Sequence, residues 1–316
     1  MEAIYTNDDA AREHIESLLW PDGPVCPRCG VIGEATLLQG KSTRPGVYNC
    51  RPCDKPFTVM VGTVYEDSHI PLHKWVYATH LMSASKKGIS ALQLQRMLGL
   101  GSYRTAWFLA HRIREAMGID KYGEPLGGAG KIVEADETYQ GKTKERTTAS
   151  KRGKPYKGKG AGPANKRAVV ALVERGGKAR VFHVGQADKE TVAKIIVENV
   201  HPESRLHTDE SRLYTGADSH TATHETTKHS AGEYARGDVH SNSAEAFFGV
   251  FKRGMNGVYQ HCDEKYLARY LKEFEFRHNT RTKLGFNDGE RAALAIKGAA
   301  GKRLTLRMPK GNAAPA

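Results

Sequence analysis

Asp136, Asp209 and Glu245 are the residues of this 316-residue sequence best suited to chemistry. Asp136 lies in KIVEADETY, Asp209 ends RLHTD, and Glu245 follows VHSNSA. The first two segments read as strands and the third as the start of a helix. Carboxylates at strand ends and on a facing helix can converge although they are far apart in the chain. Hard cations such as Mg²⁺ or Mn²⁺ take oxygen ligands, and need few from protein because they keep waters and substrate phosphate. Two such ions about 3.5–4 Å apart can activate an attacking oxygen and stabilise a leaving one. That chemistry suits cutting and rejoining a phosphodiester. Each acid also has a plainer reading. Asp136 could be an edge-strand acid, although acids are disfavoured in strands. Asp209 could cap the turn after it, and Asn242 with Glu245 has the spacing of a capping box.

Four of the five cysteines form Cys26-Pro-Arg-Cys29 and Cys50-Arg-Pro-Cys53, with twenty residues between the pairs. A two-residue gap lets one tight knuckle supply two thiolates, and the long gap suits a hairpin that brings two knuckles together around a tetrahedral Zn²⁺. Gly30 suits the turn after the first pair. Four thiolates leave no open position, so the zinc is expected to be structural. Two disulfides are the competing reading, weakened by the lack of an export signal. Cys262 reads as an ordinary small residue opening a helix.

Ser90 and Gln93 have the spacing of a capping box for a helix through Leu98; Gly99-Leu100-Gly101 makes a turn, and Ser102 caps a helix from Tyr103 to Met117. Leu92, Leu94, Met97, Leu98 and Leu100 are expected to pack against Trp107, Ala110 and Ile113. This is the layout of a helix-turn-helix, whose second helix enters the major groove; a plain helical hairpin is the alternative. Tyr103, Arg104 and Thr105 would face base edges, and Arg112 and Arg114 phosphates. Formal net charge is +13, and residues 141–168 hold ten Lys or Arg against one acid. Such a loop, including Lys151, Arg152 and Lys154, is expected to track a phosphate backbone, because Lys and Arg gain affinity by releasing counterions.

These groups need a scaffold. Residues 131–140 read as a strand. Two further strands, 167–175 and 178–185, flank Gly176-Gly177, a hairpin signal. A helix over 188–200, a short strand over 205–209 and helices over 241–255 and 263–279 follow. The expected class is α/β, a mixed sheet with flanking helices compatible with the ribonuclease H arrangement, preceded by a zinc ribbon and a helical helix-turn-helix domain. The expected organisation is a helix over 1–20, the ribbon over 21–65, the helix-turn-helix domain over 66–121, a linker over 122–130, a catalytic domain over 131–297 and a basic flexible tail over 298–316. The longest apolar run, 168–173, is too short to span a bilayer, and the acid-bearing start does not read as a signal peptide.

The sequence resembles the DDE insertion-sequence transposases, specifically the ISXO-two-like group that joins a zinc ribbon to an integrase-like catalytic domain. The likeness covers about residues 10–285. It rests on CPRCG…YNCRPC, KGISALQLQRMLGL…TAWFLAHRIREAM, VEADETYQGK, LHTDESRLY and VHSNSAEAFFGVFKRGMNGVYQHCDEKYLARYLKEFEFRHN. It implies a ribonuclease H-like fold and metal-dependent strand cleavage and transfer at transposon ends. Thirty-five residues lie between Asp209 and Glu245, a familiar spacing for second and third acids in such enzymes. Some members carry Asn as the third residue, which keeps Asn242 open. The family pattern has a Lys two helical turns after the third acid, and Lys252 fills it. Lys252 and its neighbour Arg253 are expected to contact DNA phosphates. His207 and His240 could tune the metal site or be ordinary structural residues.

The expected function is therefore that of an insertion-sequence transposase. It would bind terminal inverted repeats and target DNA, use two Mg²⁺ or Mn²⁺ per active site, and work as a dimer or larger synaptic assembly. Its expected location is the cytoplasm, on nucleoid DNA, without membrane contact. A nuclease of the same fold that transfers no strand, and a non-enzymatic DNA-binding regulator, are the alternatives.

Overall fold

The computed structural model describes residues 2–119, 121–142, 166–233 and 235–305. They form two compact units, one from residues up to 85, 89–118 and the segment from 286, the other from 86–88 and 119–285. None of the described helices is long and apolar enough to cross a membrane.

The first unit opens with α1 (Asp8–Leu19), capped where the Asn7 side chain accepts the Ala10 N–H. Three short antiparallel strands follow, β1 (Ala35–Leu37), β2 (Tyr48–Cys50) and β3 (Lys55–Phe57), with Cys50 paired to both Ala35 and Lys55. Next come α2 (Leu72–Ala84), α3 (Ala91–Leu98) and α4 (Tyr103–Met117). Ser90 and Ser102 accept the N–H of Gln93 and Thr105, as the sequence suggests, and Gly99 ends α3 at φ +57°. The packing of α3 differs from expectation. Leu94 and Leu98 are buried, but Leu92 and Met97 are 50% and 44% exposed. A helix turns 100° per residue, which swings Leu92 about 160° away from Leu94.

The second unit holds β4 (Ile132–Gln140), β5 (Arg167–Glu174), β6 (Ala179–Val184), α5 (Lys189–Asn199), β7 (Arg205–Asp209), β8 (Thr223–Thr227), α6 (Asn242–Gly254) and α7 (Glu264–Asn279). The sheet order is β6-β5-β4-β7-β8. The first three strands are antiparallel, and β7 and β8 add in parallel. Gly176, at φ +74°, turns the β5–β6 hairpin. This is the expected mixed α/β architecture, with helices on both faces. One face packs Val133, Ala135 and Leu172 against Val192 and Ile196 of α5. The other packs Val169, Ala171 and Val173 against Phe247 and Phe251 of α6 and Leu271 and Phe274 of α7. Residues 168–173 are buried throughout because β5 has neighbours on both edges and helices on both faces.

Three features depart from the sequence reading. β8 was not anticipated: THETT carries no apolar alternation, and it lies at the sheet edge with one strand neighbour. The segment expected as a linker is docked, since Leu126 is 5% exposed and exchanges backbone hydrogen bonds with Asn199 and His201, both 2.8 Å. A last helix, α8 (Asp288–Lys297), has a full capping box between Asn287 and Glu290 and packs on α2 within the first unit. The catalytic span expected to run to 297 thus corresponds to a compact unit ending at Gly285. The residues expected to begin a flexible tail are tied down as far as Arg303. Gly301 N–H bonds to Gly62, Lys302 bonds to the Gly118 carbonyl, and Arg303 pairs with Asp67 at 2.7 Å.

Candidate functional site

The acidic site is built on the central strand. In β4 alternate side chains share a face, so Glu134 and Asp136 lie together. Asp136 pairs with Ala171, which belongs to the core beneath α6 and α7. β7 runs parallel alongside, with Glu134 opposite His207. Two residues further on each strand, past the last paired positions, stand Asp136 and Asp209.

The third acid arrives on α6. At one end of this helix the Ser243 N–H donates to Glu134 Oε2 at 2.6 Å. Past the other, in the π-helical turn Met255–Tyr259 that continues it, Gln140 Nε2 donates to the Asn256 side-chain oxygen at 3.2 Å. From Glu134 to Gln140 a strand rises ~20 Å, and from Ser243 to Asn256 a helix rises ~20 Å. The helix therefore runs along β4 in the same direction, and its first turn lies level with Asp136. Glu245 is exposed on that turn, and its Oε1 accepts the Ser241 hydroxyl at 3.0 Å. The capping box between Asn242 and Glu245 is not formed. Ser241 is the N-cap and caps with no side-chain bond; the Ser243 and Ala244 N–H groups go to Glu134 instead. Asn242 stands exposed at the helix start, and Lys252 and Arg253 are exposed near its end. Lys252, seven residues after Glu245, returns to within ~20° of its face.

Electrostatics link the acids. The Asp136 carboxyl is pushed up to about 7, first by burial and then by the negative charges of Glu137, Asp209 and Glu245, while a hydrogen bond from the Glu137 N–H pulls the other way. Glu137 is an acid whose involvement was not read from the sequence. It lies on the opposite face of β4, where it accepts the Tyr214 hydroxyl at 2.7 Å and the Ser211 hydroxyl at 3.4 Å. The Ser211 N–H donates to Asp209 Oδ1 at 3.0 Å, so one serine steadies both acids. Glu134 and Arg175 were also missed. The signal for Glu134 was an acid at a strand position that should be buried. His207 is fully buried and His240 partly so, and Arg175 bonds to the Nδ1 of each, a structural setting for both.

The two candidate metal sites differ in closure. Among the described residues, the four cysteines are the set of three or more potential ligands whose donor atoms all lie within 4.8 Å of one another. The Sγ atoms of Cys26 and Cys53 are 3.7 Å apart and those of Cys29 and Cys50 3.5 Å, too far for disulfides. Burial raises the Cys26 thiol, but hydrogen bonds from the Cys29 and Arg28 N–H groups and from the Cys29 and Cys50 thiols hold it at about 6, whereas burial pushes Cys50 up to about 12 and Cys53 upward. What fits Zn²⁺ is the convergence of four sulfurs. The three acids do not close to the same spacing, yet an all-oxygen set crowded enough to raise Asp136 fits a hard cation, which would relieve that repulsion.

The proposed DNA-facing residues divide. Tyr103, Arg104 and Thr105 are exposed at the start of α4. Arg112 and Arg114, expected to face phosphates, are 6% and 2% exposed. Arg112 bonds to the Glu66 carbonyl and lies over the Trp75 and Phe108 rings, which explains its inward turn. Lys151, Arg152 and Lys154 lie outside the described residues.

Comparison with known proteins identifies two domains. A family model described as an ISXO2-like transposase domain matches residues 125–279. A second, described as a transposase zinc-ribbon domain, matches residues 6–56. An uncharacterized protein in transposable element ISH50 of Halobacterium salinarum is 27% identical over 288 residues, 89% of this chain and 94% of that protein. A solved simian T-cell lymphotropic virus intasome in complex with PP2A regulatory subunit B56 gamma aligns at 15% identity and a TM-score of 0.29. That alignment covers 58% of this chain and 63% of the other, under two thirds of its length, and carries no argument. The chain belongs to the ISXO2-like transposases, with a transposase zinc-ribbon domain ahead of the transposase domain.

Proposed function

We propose that this transposase cuts DNA strands at the terminal inverted repeats of an insertion sequence and joins the freed 3′ ends to target DNA. Asp136, Asp209 and Glu245 would hold two Mg²⁺ or Mn²⁺ ions. Such ions, when bound, supply a lowered pKa for an attacking water or hydroxyl and charge stabilisation for the leaving oxygen. The supporting observation is that parallel β4 and β7 and the first turn of α6, bonded to Glu134, bring the three acids to one place, where Asp209 and Glu245 help to raise the Asp136 carboxyl. Asn242, exposed at the start of the same helix, is the alternative third residue. Lys252 would hold a phosphate of the bound end as a point charge. Tyr103, Arg104 and Thr105 would read the end sequence, with a structural Zn²⁺ on Cys26, Cys29, Cys50 and Cys53 shaping the ribbon. Arg253 and the basic residues Lys151, Arg152 and Lys154 would add phosphate contacts. Pairing two ends requires more than one active site, so the working form would be a dimer or larger assembly.

The test uses end DNA, a supercoiled target and Mg²⁺ or Mn²⁺. Asp136→Ala and Asp209→Ala should lose strand cleavage while keeping end binding. Full cleavage by either variant would overturn the assignment. Cleaved ends with no joined product under either metal would reduce the activity to that of a nuclease.

A further inference from the structure

We propose that Glu134, braced by Arg175, is a positioning residue that sets where Glu245 stands relative to Asp136 and Asp209. The inference rests on the reading of those three acids as a metal site. Glu134 is 0% exposed, in the middle of a strand. Its Oε2 accepts the N–H groups of Ser243 at 2.6 Å and Ala244 at 3.2 Å. Its Oε1 accepts the Ser243 hydroxyl at 3.0 Å and Arg175 Nε at 2.8 Å. A carboxylate offers about four acceptor positions, so Glu134 is saturated by protein donors and is not a spare metal ligand, although it shares a face with Asp136.

Arg175, just past the end of β5, extends the clamp. Its guanidinium donates to the carbonyls of Asp238 at 2.8 Å and His240 at 3.1 Å, which fixes the segment leading into α6. It also meets Nδ1 of His207 on β7 at 3.3 Å. One network, centred on the buried Glu134, thus ties together the three elements that carry the acids. Each acid follows a member of it by two residues: Asp136 follows Glu134, Asp209 follows His207, and Glu245 follows Ser243. The saturated carboxylate also lies at the positive end of α6, so the anchor is charge-assisted as well as geometric.

The experiment measures Mn²⁺ binding to the zinc-loaded full-length protein by electron paramagnetic resonance, with amide hydrogen exchange alongside. Glu134→Gln keeps the shape but replaces one acceptor by a donor. Outer-shell partners of metal ligands typically change affinity about 10–100-fold. Glu134→Gln should weaken Mn²⁺ binding by a factor in that range and speed exchange at Ser243 and Ala244, with α7 still protected. Saturating Mn²⁺ should restore part of its cleavage activity, which it cannot do for Asp136→Ala. Wild-type Mn²⁺ affinity with wild-type protection at Ser243 and Ala244 would overturn the inference. If Glu134→Gln does not fold, Arg175→Lys carries the same expectations and the same refutation, since Arg175 is partly exposed and its removal leaves Glu134 in place. If Asp136→Ala binds Mn²⁺ as tightly as wild type, the metal reading itself falls, whatever Glu134 does.

Discussion

Glu275 on α7 gives a quantitative test of how the second unit's core is built. Its side chain accepts the Tyr122 hydroxyl at 2.8 Å and the Val181 N–H at 2.9 Å, which joins the helix to β6 and to the chain entering the unit. Burial pushes its carboxyl from 4.5 up to about 7; those two hydrogen bonds and the nearby Arg180 charge act the other way without outweighing it. The residue is only 4% exposed, so little solvent screening applies. The folded chain therefore holds a proton that the unfolded chain releases across this interval. The contribution is fully present below pH 4.5 and is lost as pH rises through about 7. Moving the carboxyl from 4.5 to about 7, at about 1.4 kcal/mol per pH unit, corresponds to roughly 3–4 kcal/mol. Glu275→Gln keeps an acceptor oxygen for both donors and removes the titration. Urea unfolding at pH 4.5, 6 and 8 should show the variant close to wild type at the lowest pH. It should become more stable than wild type by up to roughly 3–4 kcal/mol at the highest. A stability difference that does not change with pH would refute the reasoning, and would mean that Arg180 and the hydrogen bonds fully offset burial.

Further outcomes follow from other parts of the structure. Arg104→Ala should weaken end binding and lower the salt dependence of affinity by about one counterion. Arg112→Ala should instead cost about 2–3 kcal/mol of stability through lost packing on Trp75 and Phe108, measured by thermal unfolding at fixed salt. Cys50→Ser, or chelation of zinc, should abolish amide protection across β1 to β3 while the sheet around β4 keeps its own; persistence of the ribbon without metal would contradict its dependence on Zn²⁺. Lys252→Ala should cut strand cleavage about tenfold with a reduced salt slope for end binding, and an unchanged slope would remove it from the phosphate contacts.

The sequence by itself determined the parts whose cause is local. The two-residue gaps between cysteines dictate knuckles, Gly176-Gly177 dictates a tight hairpin, and Ser90, Ser102 and Asp188 cap helices within three residues of themselves. The apolar spacing of α6 and α7 announces one buried face each, and VEADETY and LHTDES mark the acids. Only the tertiary structure decided which of several like residues does what. Glu134, Asp136 and Glu137 are chemically alike and lie within four positions. The first is an anchor because the N–H groups of a helix 109 residues away converge on it. The second is crowded because β7 and α6 bring two more carboxylates to it, and the third meets Tyr214 because the strand turns it to the other face. Arg104 and Arg112 share a helix, yet one faces solvent and the other stacks on rings, a difference set by what α2 presents beneath. Burial and convergence depend on residues distant in the chain, and no local pattern encodes them.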